Sequence, residues 1–281
     1  MKKYVLYDAI IDINKTSALA NSAKELLKFL NLKVPVLSHA PRDIGCESIG
    51  LGIEAFHGSN AKVLALASKE KSEIVCVEDG SFLSLRKSKE ELSKNDKLRE
   101  QVEAELVKEG LELNLNIKIH TLAQFLIEHV GLSKIRKNIK NSFGKFNAAL
   151  YLGSYRCQIE KYSDSSVYAL LLDSIGLKLV DYDLKNQISG YEISDTHEEL
   201  AFKMAGNLML DMFDNGADFV VVNDARSFIM FDEYQKELEK SVGREIGLSV
   251  FGLAELLLLA FGVTEKGKIG LDRHKVKTDI L

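Results

Sequence analysis

Few side chains in the sequence could carry redox or metal chemistry, and they are spread along the chain. The 281 residues contain three cysteines, Cys46, Cys76 and Cys157, with no Cys-x-x-Cys and no Cys/His pair at zinc-ligand spacing. Soft-metal and iron–sulfur sites need several thiolates in one place, usually four for a cluster. The sequence therefore predicts no catalytic residue, no bound cofactor and no metal ligand.

Two polar segments with the same pattern are the strongest candidates for a shared role. Residues 74–82 and 220–228 each read as a buried strand, an acid, two further residues and Ser-Phe. A serine that follows a strand can cap the next helix through its hydroxyl oxygen. We therefore expect Ser81 and Ser227 to cap helices rather than to act as nucleophiles.

The elements that would position these segments alternate between strands and helices. Strands are predicted at 4–7, 34–37, 73–77, 148–152, 177–180 and 219–222, and helices at 17–30, 60–71, 87–110, 122–130, 166–174, 197–215, 233–242 and 253–261. This alternation favours parallel sheets flanked by helices.

The same order of elements occurs twice, which indicates a duplication. We predict an N-terminal lobe at 1–142, a C-terminal lobe at 143–263 and a polar tail at 264–281. A frayed, solvated terminus is the expected state of the tail, with an arm that docks on a partner as the alternative.

Composition argues against several functional classes. The net charge of −4 and the lack of a basic stripe disfavour nucleic acid as a partner. The most apolar stretch, 248–263, contains Glu255 and is too short for a membrane span, so it predicts a buried helix. An odd number of cysteines without a secretory leader predicts reduced thiols and a cytoplasmic location.

On these segments the chain resembles the heterodisulfide reductase B-type family, which has the cysteine-rich (CCG) fold. The resemblance extends from about Tyr4 to Gly262 and rests on the order of the segments and on the tandem repeat. Each lobe of that family carries a Gly-Cys, a Cys-Cys-Gly loop and a Cys-x-x-Cys, whose thiolates hold iron–sulfur clusters where a heterodisulfide is cleaved. The resemblance implies an α/β fold of two tandem similar lobes, each a small, mainly parallel sheet flanked by helices.

Nearly all of the family's thiolates are missing at the matching positions. The motifs fall on Ala9-Ile10, Cys46-Glu47 and 78–81 in the first lobe, and on Gly153-Ser154, 188–190 and 224–227 in the second. Only Cys46 stands at a family ligand position. The resemblance therefore implies a vestigial pocket without a cluster, lined by Cys46, Glu47, Glu78, Ser81, Ser154, Ser189, Asp224, Arg226 and Ser227.

Individual residues of this pocket leave alternatives open. Cys46 could be a reactive thiol or redox sensor, or an inert buried residue. Glu47 and Glu78 could form a hard-metal or acid/base site, or could solvate the vacated pocket. Asp224 and Arg226 could bind a charged small molecule, or could form a loop salt bridge of little energetic worth.

The leading functional hypothesis is a non-catalytic, degenerate relative that serves as an interaction or assembly subunit of a redox complex. Other reductase subunits are the expected partners. The alternative is a small-molecule binding protein or enzyme that reuses the vacated inter-lobe pocket. A deep polar pocket with perturbed carboxylates would favour the alternative, whereas a filled crevice with exposed apolar side chains would favour a protein partner.

Overall fold

Two separate parallel sheets organise the molecule. The computed structural model describes residues 2–50 and 52–278. Their seven strands are β1 (Tyr4–Tyr7), β2 (Glu73–Cys76), β3 (Ile119–Thr121), β4 (Asn147–Tyr151), β5 (Lys178–Leu179), β6 (Phe219–Val222) and β7 (Ser249–Phe251). The sheet orders are β1-β2-β3 and β5-β4-β6-β7, and every strand pair is parallel. The predicted α/β architecture of two lobes with parallel sheets is confirmed.

Helices cover the faces of both sheets. Among the described residues they are α1 (Ile13–Phe29), α2 (Ile53–Lys69), α3 (Asp79–Lys94), α4 (Asp96–Lys108), α5 (Leu122–Phe125), α6 (Leu132–Asn138), α7 (Arg156–Ile159), α8 (Ser166–Ser174), α9 (Glu198–Asp214), α10 (Ala225–Phe228), α11 (Gln235–Val242), α12 (Leu253–Ala260) and α13 (Lys266–Ile269). Short π turns extend α5 (Leu126–Val130) and α10 (Ile229–Glu233). Single 3₁₀ turns occur at Cys46–Gly50, Tyr191–Ile193 and Leu271–Arg273.

The inner strands β2 and β6 direct the chain toward the centre of the molecule. Both are short apolar runs, as expected of strands that are covered on both faces of a parallel sheet. Residues 74–76 of β2 and 219–222 of β6 are at most 1% exposed. The polar segments that follow them leave the sheets at their carboxyl ends, which is where α/β proteins place ligands.

The apolar core is continuous between the two lobes. The largest core cluster joins α1 residues such as Leu19 and Leu26 to Leu257 of α12 and Val221 of β6. Phe29 of α1 stacks on Phe261, just after α12, with ring centroids 5.2 Å apart. A helix of the N-terminal half therefore completes the core of the C-terminal half. The predicted lobe boundaries and the duplication itself stay predictions.

Several predicted elements differ from those in the structure. The predicted strand at 34–37 is reduced to one parallel bridge between Leu6 and Val36. The predicted helix at 87–110 is two helices, because Asn95 leaves the helical conformation and its side chain caps α4 by accepting from Leu98 N at 3.1 Å. The stretch 248–263 holds β7 before α12, with Gly252 between them. In the described part of the chain, no helix is both long and apolar enough to cross a membrane.

The expected frayed tail is wrong for residues 264–278. Ile269 and Leu271 are buried, and the side chain of His274 is 1% exposed. His274 Nε2 lies 2.7 Å from Glu255 Oε1, and His274 Nδ1 lies 3.6 Å from Asp232 Oδ1. A buried cation between two acids therefore fastens this segment to the C-terminal half. Residues 279–281 lie outside the described residues.

Candidate functional site

An acidic side chain caps the helix that follows β2 in one sheet and the helix that follows β6 in the other. Glu78, after β2, accepts hydrogen bonds from Gly80 N at 2.8 Å and Ser81 N at 2.5 Å, and from the Ser81 hydroxyl. Asp224, after β6, accepts from Ser227 N at 2.9 Å and from the Ser227 hydroxyl. The prediction that the serines are the caps is therefore corrected. A carboxylate accepts hydrogen bonds more strongly than a hydroxyl, and each serine becomes a donor to it.

The two capped turns meet across the lobes. Asp79 N donates to Asn223 O at 2.9 Å, and Ala225 N donates to Glu78 Oε2 at 3.2 Å. The amide of Asn223 also donates to Val77 O at 3.4 Å. The carboxyl ends of β2 and β6 therefore face each other directly, so the positions predicted to line a pocket converge at the lobe interface.

Arg226 fills the space beside these turns. Its side chain is 1% exposed; Nε donates to Glu47 Oε1 at 2.6 Å, and Nη2 lies 3.5 Å from Asp43 Oδ2. Gly45 has φ +83°, and a Cβ there would lie 1.8 Å from Arg226 Nη2, so only glycine fits. Burial disfavours the guanidinium charge, but Asp43 and Glu47 more than offset this and raise the pKa of Arg226. The predicted Asp224–Arg226 loop salt bridge is thus replaced by a pairing of the buried guanidinium with the buried Asp43 and with Glu47, whose side chain is 28% exposed.

Two carboxyl groups in this network titrate near neutral pH. Burial, reinforced by the nearby charges of Asp224 and Asp43, raises the pKa of Glu78 to about 7. Burial likewise raises the pKa of Asp79 to about 8, although the Tyr168 hydroxyl donates to Asp79 Oδ1 at 2.5 Å. Such groups can hold or release a proton, but Glu78 is 0% and Asp79 2% exposed. The alternative in which Glu78 solvates the vacated pocket does not hold, because its side chain is not exposed at the surface.

The serines of the second lobe lie against the same network. Ser154 Oγ lies 3.1 Å from Ser189 Oγ and accepts from Ser189 N at 2.9 Å. Gly153, with φ +84°, brings this turn so close to Asp224 that a Cβ would lie 3.0 Å from the Asp224 Cβ. The carboxylate oxygens of Glu192 are also buried, and neither has a hydrogen-bond partner among the described residues.

Cys46 has the environment of an inert thiol. It is 8% exposed, and its Sγ lies 3.6 Å from Ser84 Oγ. Burial raises the pKa of the Cys46 thiol to about 11, although Lys87 and the Ser84 hydroxyl favour the thiolate. The hypothesis of a reactive thiol or redox sensor requires an exposed sulfur with a low pKa, and Cys46 has neither property.

The sequence predicted most of this network but not Asn223, which bonds across the lobes, nor three further members. The structure brings Glu47, Glu78, Ser81, Asp224, Arg226 and Ser227 together and places Ser154 and Ser189 beside them. These three further residues are Asp43, Asp79 and Tyr168. Asp79 adjoins a predicted residue and could have been included. Tyr168 lies in a helix with no motif, and nothing in its sequence surroundings points to the site.

Comparisons with known proteins agree with this architecture. Residues 181–275 match the model of the HdrB-like C-terminal domain family. A crystal structure of a hypothetical protein from Helicobacter pylori superposes with a TM-score of 0.83 at 22% sequence identity, covering 100% of this chain and 53% of that one. This chain thus spans about half of the length of that protein, and the likeness shows the fold alone. The family match covers the turn that carries Asp224 and Arg226.

The residues present do not fit an iron–sulfur cluster. The positions that match the family's thiolates carry carboxylates, hydroxyls and two isoleucines, and the one matching thiol, Cys46, is protonated and buried. The carboxylates of Glu78 and Asp224 already accept hydrogen bonds from the turns that they cap. Arg226 places a positive charge among them, where iron would need negative ligands.

Proposed function

We propose that this chain, in which residues 181–275 match the HdrB-like C-terminal domain and which has only three cysteines, is a non-catalytic, cluster-free relative of that family that serves as an interaction or assembly subunit of a redox complex. The observation that carries this proposal is the buried network around Arg226. Glu78 and Asp224, at two of the positions that match the family's cluster ligands, lie between the lobes and accept hydrogen bonds from protein groups. The charged and polar side chains of the network therefore connect the two lobes at the place where relatives bind a cofactor.

The closed crevice argues against the small-molecule alternative. Arg226, Glu78 and Ser189 are at most 1% exposed, so a ligand could reach them only by opening the lobe interface. Opening would break the hydrogen bonds of Asp79 N and Ala225 N across the lobes. The pKa values of Glu78 and Asp79 are raised, but burial and neighbouring protein charges account for these shifts without a ligand.

Exposed apolar side chains support a role in binding another protein. Val36 is 41%, Ile44 41% and Ile53 55% exposed, and all three lie in the stretch of chain that surrounds Cys46. Side chains of this kind are common where a protein contacts a partner. Relatives in the HdrB-like family usually work in multi-subunit complexes, and the proposed partner is therefore another subunit of a redox complex.

Metal and sulfide analysis tests the cluster-free part of the proposal. The protein is purified without air, incubated with ferrous iron and sulfide, and desalted. We expect neither stoichiometric sulfide nor visible thiolate–iron absorption, because the ligand positions offer a single thiol. Stoichiometric iron that is lost in the Cys46→Ser variant, but kept in the exposed-cysteine control Cys157→Ser, would refute the proposal.

Isolation from the native cells under mild conditions tests the subunit part. We expect the chain to elute with a cofactor-bearing redox subunit at a constant ratio across the peak. The double variant Ile44→Asp/Ile53→Asp should weaken this association, whereas Val107→Asp, at a site that is 70% exposed on α4, should leave it intact. Elution of the chain alone, at its mass of 31.3 kDa, would contradict the role.

A further inference from the structure

A second polar cluster lies at the opposite end of the N-terminal sheet from the Arg226 network. Glu73 opens β2, and His120 is the middle residue of the neighbouring strand β3. The π turn that extends α5 brings His129 to the same place. Glu73 precedes the capping residue Glu78 by five positions of extended chain, or about 16 Å. The two clusters are therefore separate sites.

The three side chains converge on one point. One ligand atom from each of Glu73, His120 and His129 can be chosen so that all three lie within 4.8 Å of one another. His120 Nε2 is 2.9 Å from Glu73 Oε2. A second carboxylate borders the cluster, since Glu128 Oε2 lies 3.7 Å from His120 Nδ1 and 3.8 Å from His129 Nε2.

The histidine at the centre has unused bonding capacity. The side chain of His120 is 7% exposed, and its buried Nδ1 has no hydrogen-bond partner among the described residues. A buried polar atom that lacks a partner is costly, and such an atom in a native structure calls for an explanation. The side chains of Glu73, His129 and Glu128 are 18%, 25% and 45% exposed, so the cluster is open on one side to an incoming ion.

We propose that Glu73, His120 and His129 bind a divalent transition-metal ion of the zinc type, with Glu128 or water completing its coordination. Two imidazoles and a carboxylate are the donor set that such ions take in open protein sites. At metal–ligand distances of about 2.0–2.2 Å, the ligand atoms of a tetrahedral site lie roughly 3.3–3.6 Å apart. Small side-chain rotations would therefore bring the three ligand atoms to the separations that a bound ion requires.

Neighbouring groups are suited to orient these ligands. Lys2 Nζ lies 3.3 Å from Glu73 Oε1 and leaves the other oxygen of that carboxylate free for the cluster. The Tyr4 hydroxyl lies 3.3 Å from both ring nitrogens of His129, so it can bond to the one that does not bind the metal. Such outer contacts fix the ring orientation and the tautomer of metal-binding histidines.

Calorimetric titration with Zn²⁺ alone tests the site. The parent protein in these titrations is the metal-free Cys157→Ser variant, because this change removes an exposed thiol that could bind zinc by itself. We expect one ion per chain. His120→Gln and His129→Gln should each weaken binding by at least about tenfold, the lower end of the cost of changing even an outer-shell partner. The control His197→Gln, at an exposed histidine in the other half, should bind as the parent does.

Two further measurements keep the result unambiguous. Far-UV circular dichroism of the metal-free variants should match the parent, so that lost binding is not lost folding. Saturating zinc should raise the Tm of the parent but not of His129→Gln, because an ion that binds only the folded state stabilises it. The proposal is overturned if the parent binds no zinc, or if the double variant His120→Gln/His129→Gln binds it with parental affinity.

Discussion

At the scale of single residues, Arg226 determines the character of the lobe interface. Its guanidinium is removed from water and is compensated by Glu47 and Asp43. Glycines at 45 and 80 give it room, because a Cβ at Gly80 would lie 2.9 Å from Nη1. A buried ion pair of this kind adds little net stability, but losing one partner leaves the other charge uncompensated.

The Arg226→Met variant should therefore be strongly destabilised. We expect the free energy of unfolding to fall by about 3–5 kcal/mol, because Asp43 would remain buried without a cation. Urea titration measures this change through the midpoint at constant slope. Arg244→Met is the matched control: its pair with Asp214 is about half exposed, and its loss should shift the midpoint far less than the loss of Arg226 does. Equal losses in the two variants would contradict a special role for Arg226.

The sequence allowed most of these residues to be predicted because their motifs are local. Glu78-x-x-Ser81 and Asp224-x-x-Ser227 each lie after a recognisable apolar strand. Their bonding could not be predicted, since the partner of Arg226 is Glu47, far away in sequence. The His120–His129 cluster was missed for the same reason, because its third member, Glu73, comes from another strand.

At the scale of elements, the residues 264–278 act as a strap across the C-terminal half. Lys275 N and Val276 N donate to the Asp232 carboxylate at 2.9 and 3.2 Å, and Ser249 Oγ donates to Lys277 O at 2.5 Å. These contacts fix the strap to the π turn after α10 and to β7. The strap therefore depends on the charge of one histidine as well as on backbone bonds.

Stability should fall with rising pH because of His274. Glu255 and Asp232 overcome the effect of burial and raise the pKa of His274 to about 10, above its usual 6.5. A raised histidine pKa contributes stability that is complete below pH 6.5 and is lost as the pH rises through 10, by at most about 1.4 kcal/mol per pH unit. Denaturant midpoints between pH 6.5 and 10 should therefore decline more steeply for the parent than for His274→Gln.

The exposed-site variant His197→Gln provides the control for this titration. It should keep the parental pH slope, since His197 is exposed and belongs to neither the strap nor its acids. Parallel slopes for the parent and His274→Gln would mean that His274 carries no charge in the folded protein.

Strands and helices were predicted correctly where the apolar pattern is clear in the sequence. They were missed where contacts with distant segments determine the conformation. Strand β1 and helix α8 have the predicted bounds. Strands β3 and β7 have three residues each and form because an inner strand is available for pairing. The strap was missed because its helix has only four residues and its polar side chains suggest a solvated terminus.

At the scale of the whole molecule, the two halves share one core. Helix α1 packs on α12 and α13, and the network around Arg226 joins the sheets at their carboxyl ends. Alternation of strands and helices was enough to predict parallel sheets, but it could not show which faces pack together. Which faces pack together depends on how well side chains from distant parts of the chain fit each other and exclude water.

Separated halves should fail to fold independently. Fragments 1–142 and 143–281 would each expose the apolar faces of α1 or α12, so we expect strong binding of a hydrophobic dye and no cooperative unfolding. Mixing them should restore a cooperative transition. A fragment that unfolds cooperatively at the parental midpoint would show that the cores are separable.

The pairing of α1 with α12 also has a consequence for biosynthesis. Helix α1 ends at Phe29, and α12 begins at Leu253, so more than two hundred residues must be translated before the two can meet. At roughly 5–20 residues per second, the apolar side of α1 waits on the order of tens of seconds for its cover. During that interval a nascent chain on the ribosome presents a surface that molecular chaperones recognise.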